Sequence, residues 1–500
     1  MLTLALSSVL SAFIVPASAA GPGVWGETIT FPLVPAGAAV VPQTGKLMVY
    51  AAYALNKFSP TGAAQTETAE YDPVTKQVAR YTITNTNHDM FCPGMSYDFA
   101  GDLIVTGGNT AKKTSIYTGG AWRPAPDMVI PRGYQSSATL SDGTIFTIGG
   151  SWSGGRGGKN GEVWNGTSWR GLPSASVTPM LTKDPGGPFR TDNHAMLFGW
   201  KNATAFQAGP SVAMNWYGTS GNGNYQAAGK RGTDTDAMCG IASFYDAVAG
   251  KILVAGGSPA YENANATSNA NIITIGASNA AATVQKLGNM AYRRIFANGI
   301  VLPDGKTLIV GGQTYGKPFS DANSTQIPEL FDPATGKFTQ LAKESTPRTY
   351  HSVGLLMPDA TVFSGGGGLC GTCTTNHFDG QIFSPPYLFA ADGTTAAARP
   401  VINSTSSSTI AVGATLTATL SATAPNLSAK FSLVRVGSAT HTVNTDQRRV
   451  PLTAAITGNG TTYSMTLPGD PGVVLPGYWF LFALVDGVPS VAKTVLVTPA

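Results

Sequence analysis

DGTIFTIGG, residues 142–150, is a turn that runs into a short β-branched and aromatic strand and stops on two glycines. The same shape returns as GKLMVYAAY from Gly45, GDLIVTGG from Gly101, ATAFQAGP from Ala203, GKILVAGG from Gly250, DGKTLIVGG from Asp304 and DATVFSGGG from Asp359. Copies at intervals of roughly 40–60 residues mark a repeat architecture rather than a set of unrelated strands. Between them lie EYDPVTKQV at Glu70, WNGTSWRGLP at Trp164 and LFDPATGKFTQL at Leu330, strand runs broken by Asp-Pro or Asn-Gly turns. A glycine pair closing a strand suits elements that crowd around an axis, where a missing Cβ lets backbones approach. Helical periodicity is nearly absent.

The repeats predict an all-β fold: a seven-bladed β-propeller of kelch-type period over residues 21–398. An array of β-sandwiches fits a fixed period with a glycine stop less well. After Pro385-Pro386 the glycine pairs cease and alternating runs such as TLTATLSAT, YSMTLP and YWFLFALV take over. Residues 399–500 therefore read as an immunoglobulin-like β-sandwich. At the other end, residues 2–15 are almost all apolar and Ala17-Ser18-Ala19 is a small-x-small cleavage pattern. Residues 1–20 read as a signal peptide of a secreted, extracellular protein. The run falls short of the ~20 residues a bilayer needs, and no other segment suggests a membrane partner. Seven Asn-x-Ser/Thr sequons are compatible with a eukaryotic secretory route. Charged residues are only 12%, and Lys+Arg minus Asp+Glu is 31 − 27 = +4, with no basic run, which argues against a nucleic-acid partner. A hydrophobic content of 43% excludes a wholly disordered chain.

Cys92, Cys239, Cys370 and Cys373 are the only cysteines. Cys370-Gly-Thr-Cys373 lacks the two nearby ligands a zinc site needs and the βαβ unit of a thioredoxin-like site, so a small disulfide is the better reading. Cys92 and Cys239 are left paired, free or modified. None of the five histidines forms an H-x-x-x-H or H-x-H pair, and no nucleophile elbow appears. Pattern alone ends at a secreted propeller, because ligands gathered on an axis from distant blades leave no local spacing.

Longer strings carry more. HDMFCPG at 88–94, RGYQSSATLSDG at 132–143, FTIGGSWSGG at 146–155 and NGEVW at 160–164 resemble the fungal galactose oxidases, within the copper radical oxidases. So do FQAGPSVAMNWYGTSG at 206–221, DAMCG at 236–240, GGGGLCGTCTTNHFDGQIFSPPYL at 365–388 and THTVNTDQRR at 440–449. The resemblance implies one copper ion on the propeller axis, with Tyr134, Tyr350, His351 and His441 as ligands. It also implies a Cys92–Tyr134 thioether that carries a protein radical, Trp152 stacked over it, and a Cys370–Cys373 disulfide. His441 belongs to the C-terminal domain, so a hairpin must reach the axis. Imidazole and phenolate suit tetragonal Cu(II). The implied reaction takes a primary alcohol, the C6 hydroxyl of galactose or a galactoside, to the aldehyde while O2 becomes hydrogen peroxide. Tyr350 is the expected general base.

Phe58, Arg190, Phe296, Tyr261 and Trp152 match the sugar pocket of that family, where an Arg fork can donate to two vicinal hydroxyls. Glu262 stands where Gln is usual and Phe189 where Tyr is usual. A carboxylate only accepts hydrogen bonds, so sugar selectivity could shift, and Glu262 could hold Arg190 away from substrate. Oxidation of other primary alcohols, or of small aldehydes as in the glyoxal oxidases, is the alternative. A catalytically silent lectin would have lost one of the five copper-site residues. Taken singly, Tyr134 and Tyr350 read as packed aromatics, Trp152 as a blade indole and Cys92 as a buried thiol. Many of these oxidases carry a carbohydrate-binding β-sandwich ahead of the propeller; here the propeller is expected to begin at Val24-Trp25-Gly26. A monomer is expected.

Overall fold

Each quoted repeat becomes the second strand of an antiparallel sheet: Leu47–Tyr50, Leu103–Thr106, Ile145–Ile148, Thr204–Gly209, Lys251–Ala255, Thr307–Gln313 and Val362–Gly366. The computed structural model describes residues 21–59, 63–232, 234–421, 429–457 and 460–500. The expected signal peptide and the sequons at Asn426 and Asn459 lie outside them. The strand before each repeat starts its sheet, and these first strands lie against one another around a ring. They are almost wholly buried, whereas outer strands such as Val78–Ile83 and Lys337–Gln340 are mostly solvent-facing. Seven blades result, and the last is completed from the N-terminus. Val24–Thr30 pairs with Asp379–Ser384, with Trp25 opposite Phe383 and Thr30 opposite Asp379, so the two ends of the ring are laced together.

The glycine pairs act differently from the sequence expectation. In five of the blades they lie at the end of the second strand, one strand out from the axis, and meet the neighbouring blade. A Cβ on Gly107, Gly149, Gly256, Gly311 or Gly366 would collide with the carbonyl oxygen of Arg132, Asp192, Arg294, Arg348 or Pro35 respectively. In the space so freed, Gly108 N–H donates to Arg132 O at 2.8 Å, Gly257 to Arg294 O at 2.6 Å and Gly312 to Arg348 O at 2.7 Å. The pairs are inter-blade staples. Buried arginines brace the same junctions: Arg132 pairs with Glu162 at 2.8 Å, Arg294 with Glu329 at 2.9 Å and Arg348 with Glu344 at 2.9 Å. Other N–H groups donate to backbone carbonyls, Arg132 Nη1 to Gly149 O, Arg294 Nη1 to Gly311 O and Arg348 Nη1 to Gly366 O, and Arg348 Nη2 pairs with Asp379 at 2.6 Å.

Two further sheets follow the propeller. One orders Ile402–Thr405, Thr415–Leu420, Thr462–Thr466 and Ala454–Thr457; the other centres on Ala429–Arg435 and Gly477–Val485. Between Arg435 and Arg449 the chain leaves this sandwich and enters the ring. Ser438–Thr440 pairs with Gly37–Val40. Asp446 accepts from Ser96 Oγ and Tyr97 N–H at 2.9 Å each, and Arg435 donates to it at 2.6 Å. Gln447 Oε1 accepts from Val301 N–H at 2.8 Å, and Arg448 donates to Gly199 O at 2.8 Å. Four blades thus grip one hairpin.

Candidate metal centre

In six of the blades the residue at the lip of the innermost strand has a left-handed backbone without being glycine: Cys92, Tyr134, His194, Cys239, Phe296 and His351, with φ between 48° and 70°. His441 on the inserted hairpin does the same at 52°. Such a conformation is uncommon for a side-chain-bearing residue and clusters where the surroundings over-determine it. Here a backbone relay does so: Tyr134 N–H donates to Cys92 O and His194 N–H to Tyr134 O, both at 2.9 Å, and Phe296 N–H to Cys239 O at 3.0 Å. The turn at each lip aims its side chain at the axis.

Residues far apart in sequence meet there. Donor atoms of Cys92, His351 and His441 all lie within 4.8 Å of one another, and all three residues are buried. Cys92 Sγ is 3.3 Å from His441 Nε2. The phenol oxygens of Tyr134 and Tyr350 touch, and Tyr261 OH donates to Tyr350 at 2.9 Å. Trp152 stacks on Tyr134 with centroids 4.7 Å apart and planes 10° apart.

Hydrogen bonding settles both imidazole tautomers. His351 Nδ1 lies 2.6 Å from Gly368 O, which can only accept, so Nδ1 carries the proton and Nε2 a lone pair. Among the described residues that Nε2 is buried without a partner. Thr440 spends its hydroxyl proton on Ala36 O at 3.0 Å and therefore accepts from His441 Nδ1 at 2.7 Å, leaving a second Nε2 lone pair. Burial keeps both rings neutral, His351 down at about 3 and His441 well below its ordinary value. Two neutral imidazoles, two phenols and an orphaned lone pair in a dry pocket are a donor set that fits copper. Burial raises both phenols, but unequally in its company: Arg190 and hydrogen bonds from Tyr134 and Tyr261 favour Tyr350 as the anion, whereas Tyr350 disfavours ionising Tyr134. Burial also pushes the Cys92 thiol well up.

Around this centre Arg190 lies 4.0 Å over the Tyr261 ring and 4.8 Å over Phe189. Glu262 Oε1 is 3.8 Å from Arg190 Nη2. Both line a groove of about 1030 Å³. Phe58 stacks on Phe91 at 4.7 Å and meets Trp152 edge-on. Phe296 is placed otherwise than the pocket expectation had it: only 2% exposed, it packs behind Tyr261 and Tyr350. The ring at the mouth is Phe319, 36% exposed, edge-on to Tyr350 at 5.1 Å and stacked with Phe58 at 6.0 Å. The sequence reading passed over Phe319, whose place beside Tyr350 and Phe58 only the folded chain creates. His194 lines the wall, stacked on His441 at 5.2 Å and 3.3 Å from Tyr261 OH. Cys370 and Cys373 form a disulfide, and Cys239 is a buried free thiol.

Residues 399–497 match the galactose oxidase-like early set domain, and residues 189–385 the glyoxal oxidase N-terminus. A galactose oxidase of Gibberella zeae is 52% identical over 488 residues, spanning 96% of this chain and 71% of that protein. A solved fungal alcohol oxidase, described as catalytically diverse among the AA5 family and complexed with copper, superimposes with a TM-score of 0.92. It is 48% identical over 96% of this chain and 100% of its own. An aldehyde oxidase of Arabidopsis thaliana is 25% identical, over 81% of this chain and 71% of its own.

Proposed function

The chain belongs to the copper radical oxidases as a copper alcohol oxidase of galactose oxidase type, and from that footing we propose that it oxidises the C6 hydroxyl of galactose or galactosides. The alcohol becomes an aldehyde, two electrons and two protons pass to O2, and hydrogen peroxide leaves. The observation that carries this reading is the meeting of His351 Nε2, His441 Nε2 and the Tyr134 and Tyr350 oxygens in one buried pocket beside Arg190. Tyr134, Tyr350, His351 and His441 would hold the copper. Bound there, with Tyr134 joined to Cys92 by a thioether, copper supplies one of the two oxidising equivalents an alcohol oxidation requires and the modified ring the other.

The remaining work falls to the chain. Tyr350 Oη takes the hydroxyl proton, since Arg190 and the hydrogen bond from Tyr261 favour its anion. Trp152 shields the Tyr134 ring from water. Arg190, backed by the Tyr261 face, donates to vicinal ring hydroxyls and turns C6 inward, while Phe58 and Phe319 present apolar surface to the sugar C–H groups. On the same reading residues 21–398 form the catalytic propeller, 399–500 contribute His441, and 1–20 direct secretion. Peroxide release by copper-loaded protein, measured against galactose, raffinose, benzyl alcohol and methylglyoxal, tests the proposal. Activity with the two sugars supports it; activity confined to benzyl alcohol or methylglyoxal removes the sugar assignment.

A further inference from the structure

Trp152 sits at the start of the loop Ser151–Gly158, in which Gly154, Gly155, Gly157 and Gly158 all have left-handed backbones. Glycines at that density lose more conformational entropy on ordering than any other residue, so the loop needs ties from elsewhere. Its base is held by Ser151, whose N–H and Oγ both donate to Asp192 at 2.9 and 2.6 Å, and by Gly133 N–H donating to Gly150 O at 3.0 Å. Ser153 Oγ adds a bond to Gly108 O at 2.6 Å.

Beyond Trp152 the strongest tie is Lys159. This lysine is 2% exposed, which is rare for an ammonium, and forms no ion pair among the described residues. All three of its donors go to backbone carbonyls instead: Pro131 O at 2.5 Å, Gly154 O at 2.7 Å and Ser153 O at 3.3 Å. Ser153 and Gly154 directly follow Trp152, and Pro131 lies three residues before Tyr134. One cation therefore clamps together the two backbone segments that carry the stacked indole and phenol.

We infer that Lys159 is a positioning residue that holds Trp152 against Tyr134 and so governs how long the oxidised Tyr134 ring persists. The inference rests on the proposed function, because it takes Tyr134 as the oxidised ring. Burial and the like charge of Arg132 bring the Lys159 ammonium down to about 8, opposed by Asp192 and Glu162. A neutral side chain of similar length keeps the packing of the stem but leaves the three carbonyls without these donors, so its effect should be confined to this loop and the Tyr134 segment.

Lys159→Met and Lys159→Arg test this, each alone and in a Trp152→Phe background. In copper-loaded, oxidised Lys159→Met the tyrosyl radical signal should decay about tenfold faster or more, with bound copper and melting temperature retained and with Lys159→Arg restoring persistence. In the metal-free protein, tryptic cleavage after the exposed Arg156 should accelerate at least several-fold in Lys159→Met. If Lys159 acts through the indole, Lys159→Met should change radical decay little once Trp152 is Phe. Unchanged decay and unchanged cleavage, or effects that simply add in the double variant, overturn the inference. Should Lys159→Met fail to fold, Lys159→Ala, which likewise removes all three donors, carries the same two readouts. An oxidant-treated wild-type protein with copper bound and no radical absorption overturns the underlying function, and this inference with it.

Discussion

Replacing Glu262 by Gln tests how far this chain's carboxylate restrains Arg190, the arginine proposed to bind sugar. The Arg190–Glu262 separation is 3.8 Å, with the two side chains 15% and 49% exposed. Coulomb's law for unit charges at that distance gives about 1 kcal/mol in bulk water and about 4 kcal/mol at an effective dielectric of ~20. Half the carboxylate faces solvent, and exposed pairs deliver at most ~1 kcal/mol, so the lower figure applies. Arg190 must loosen this contact to donate both prongs to a sugar, and an amide at 262 would restore a donor as well. Glu262→Gln should therefore raise kcat/KM for galactose by about fivefold, the equivalent of ~1 kcal/mol, through KM rather than kcat. Initial rates of peroxide release over a range of galactose concentrations measure it, and benzyl alcohol, which has no ring hydroxyls for the fork, is the control. A fall in galactose kcat/KM would show that the carboxylate itself accepts from the sugar. An equal change with benzyl alcohol would place the effect outside sugar recognition.

Cys92→Ala should leave copper binding largely intact but lower alcohol oxidation by about 10²–10⁴-fold, the range for a group acting in the chemical step. With the Cys370–Cys373 disulfide reduced, intact mass should show the matured wild type two hydrogens lighter than its sequence, and full activity in the variant would refute the thioether. Thr440→Val removes the acceptor that fixes the His441 tautomer and should weaken copper binding about 10–100-fold in a chelator competition. Acid stability should depend on His88, which is fully buried, donates to Gly107 O at 2.7 Å, bonds Ser115 Oγ at 2.8 Å, and is held by burial down at about 4. Below the unfolded value of about 6.5 the unfolded chain binds a proton that the folded one refuses, so stability falls with pH between about 6.5 and 4. The shift of ~2.5 units is worth about 3 kcal/mol, and denaturant melts of His88→Gln should show an acid limb shallower by that amount.

Much of this was open to reading along the chain. The seven repeats declared a propeller because each copy is a local pattern, a β-branched run and a turn, that needs no partner to be recognised. Their glycine pairs were noticed but misplaced: contact with a carbonyl of the next blade depends on the angle between sheets, which no single repeat encodes. The N-terminal strand was equally silent, since Val24–Thr30 acquires its role only on pairing with Asp379–Ser384. In the site, resemblance of strings named Tyr134, Tyr350, His351, His441 and Cys92. Their spacing could not have done so, because the expected donors come from two separate blades and from the inserted hairpin, far apart in the chain.

What the sequence by itself determined was therefore local and repetitive: strand period, turn chemistry, the change of pattern near residue 399, and the residue types available for chemistry. Only the tertiary structure decided which lone pair was left unsatisfied on His351, that Phe319 rather than Phe296 faces the mouth, and that Lys159 ties the Trp152 loop to the Tyr134 segment. The physical reason is the same each time. A propeller brings residues 40 to 350 positions apart onto one axis, and burial, tautomer and orientation there are set by neighbours from other blades, not by neighbours in the chain.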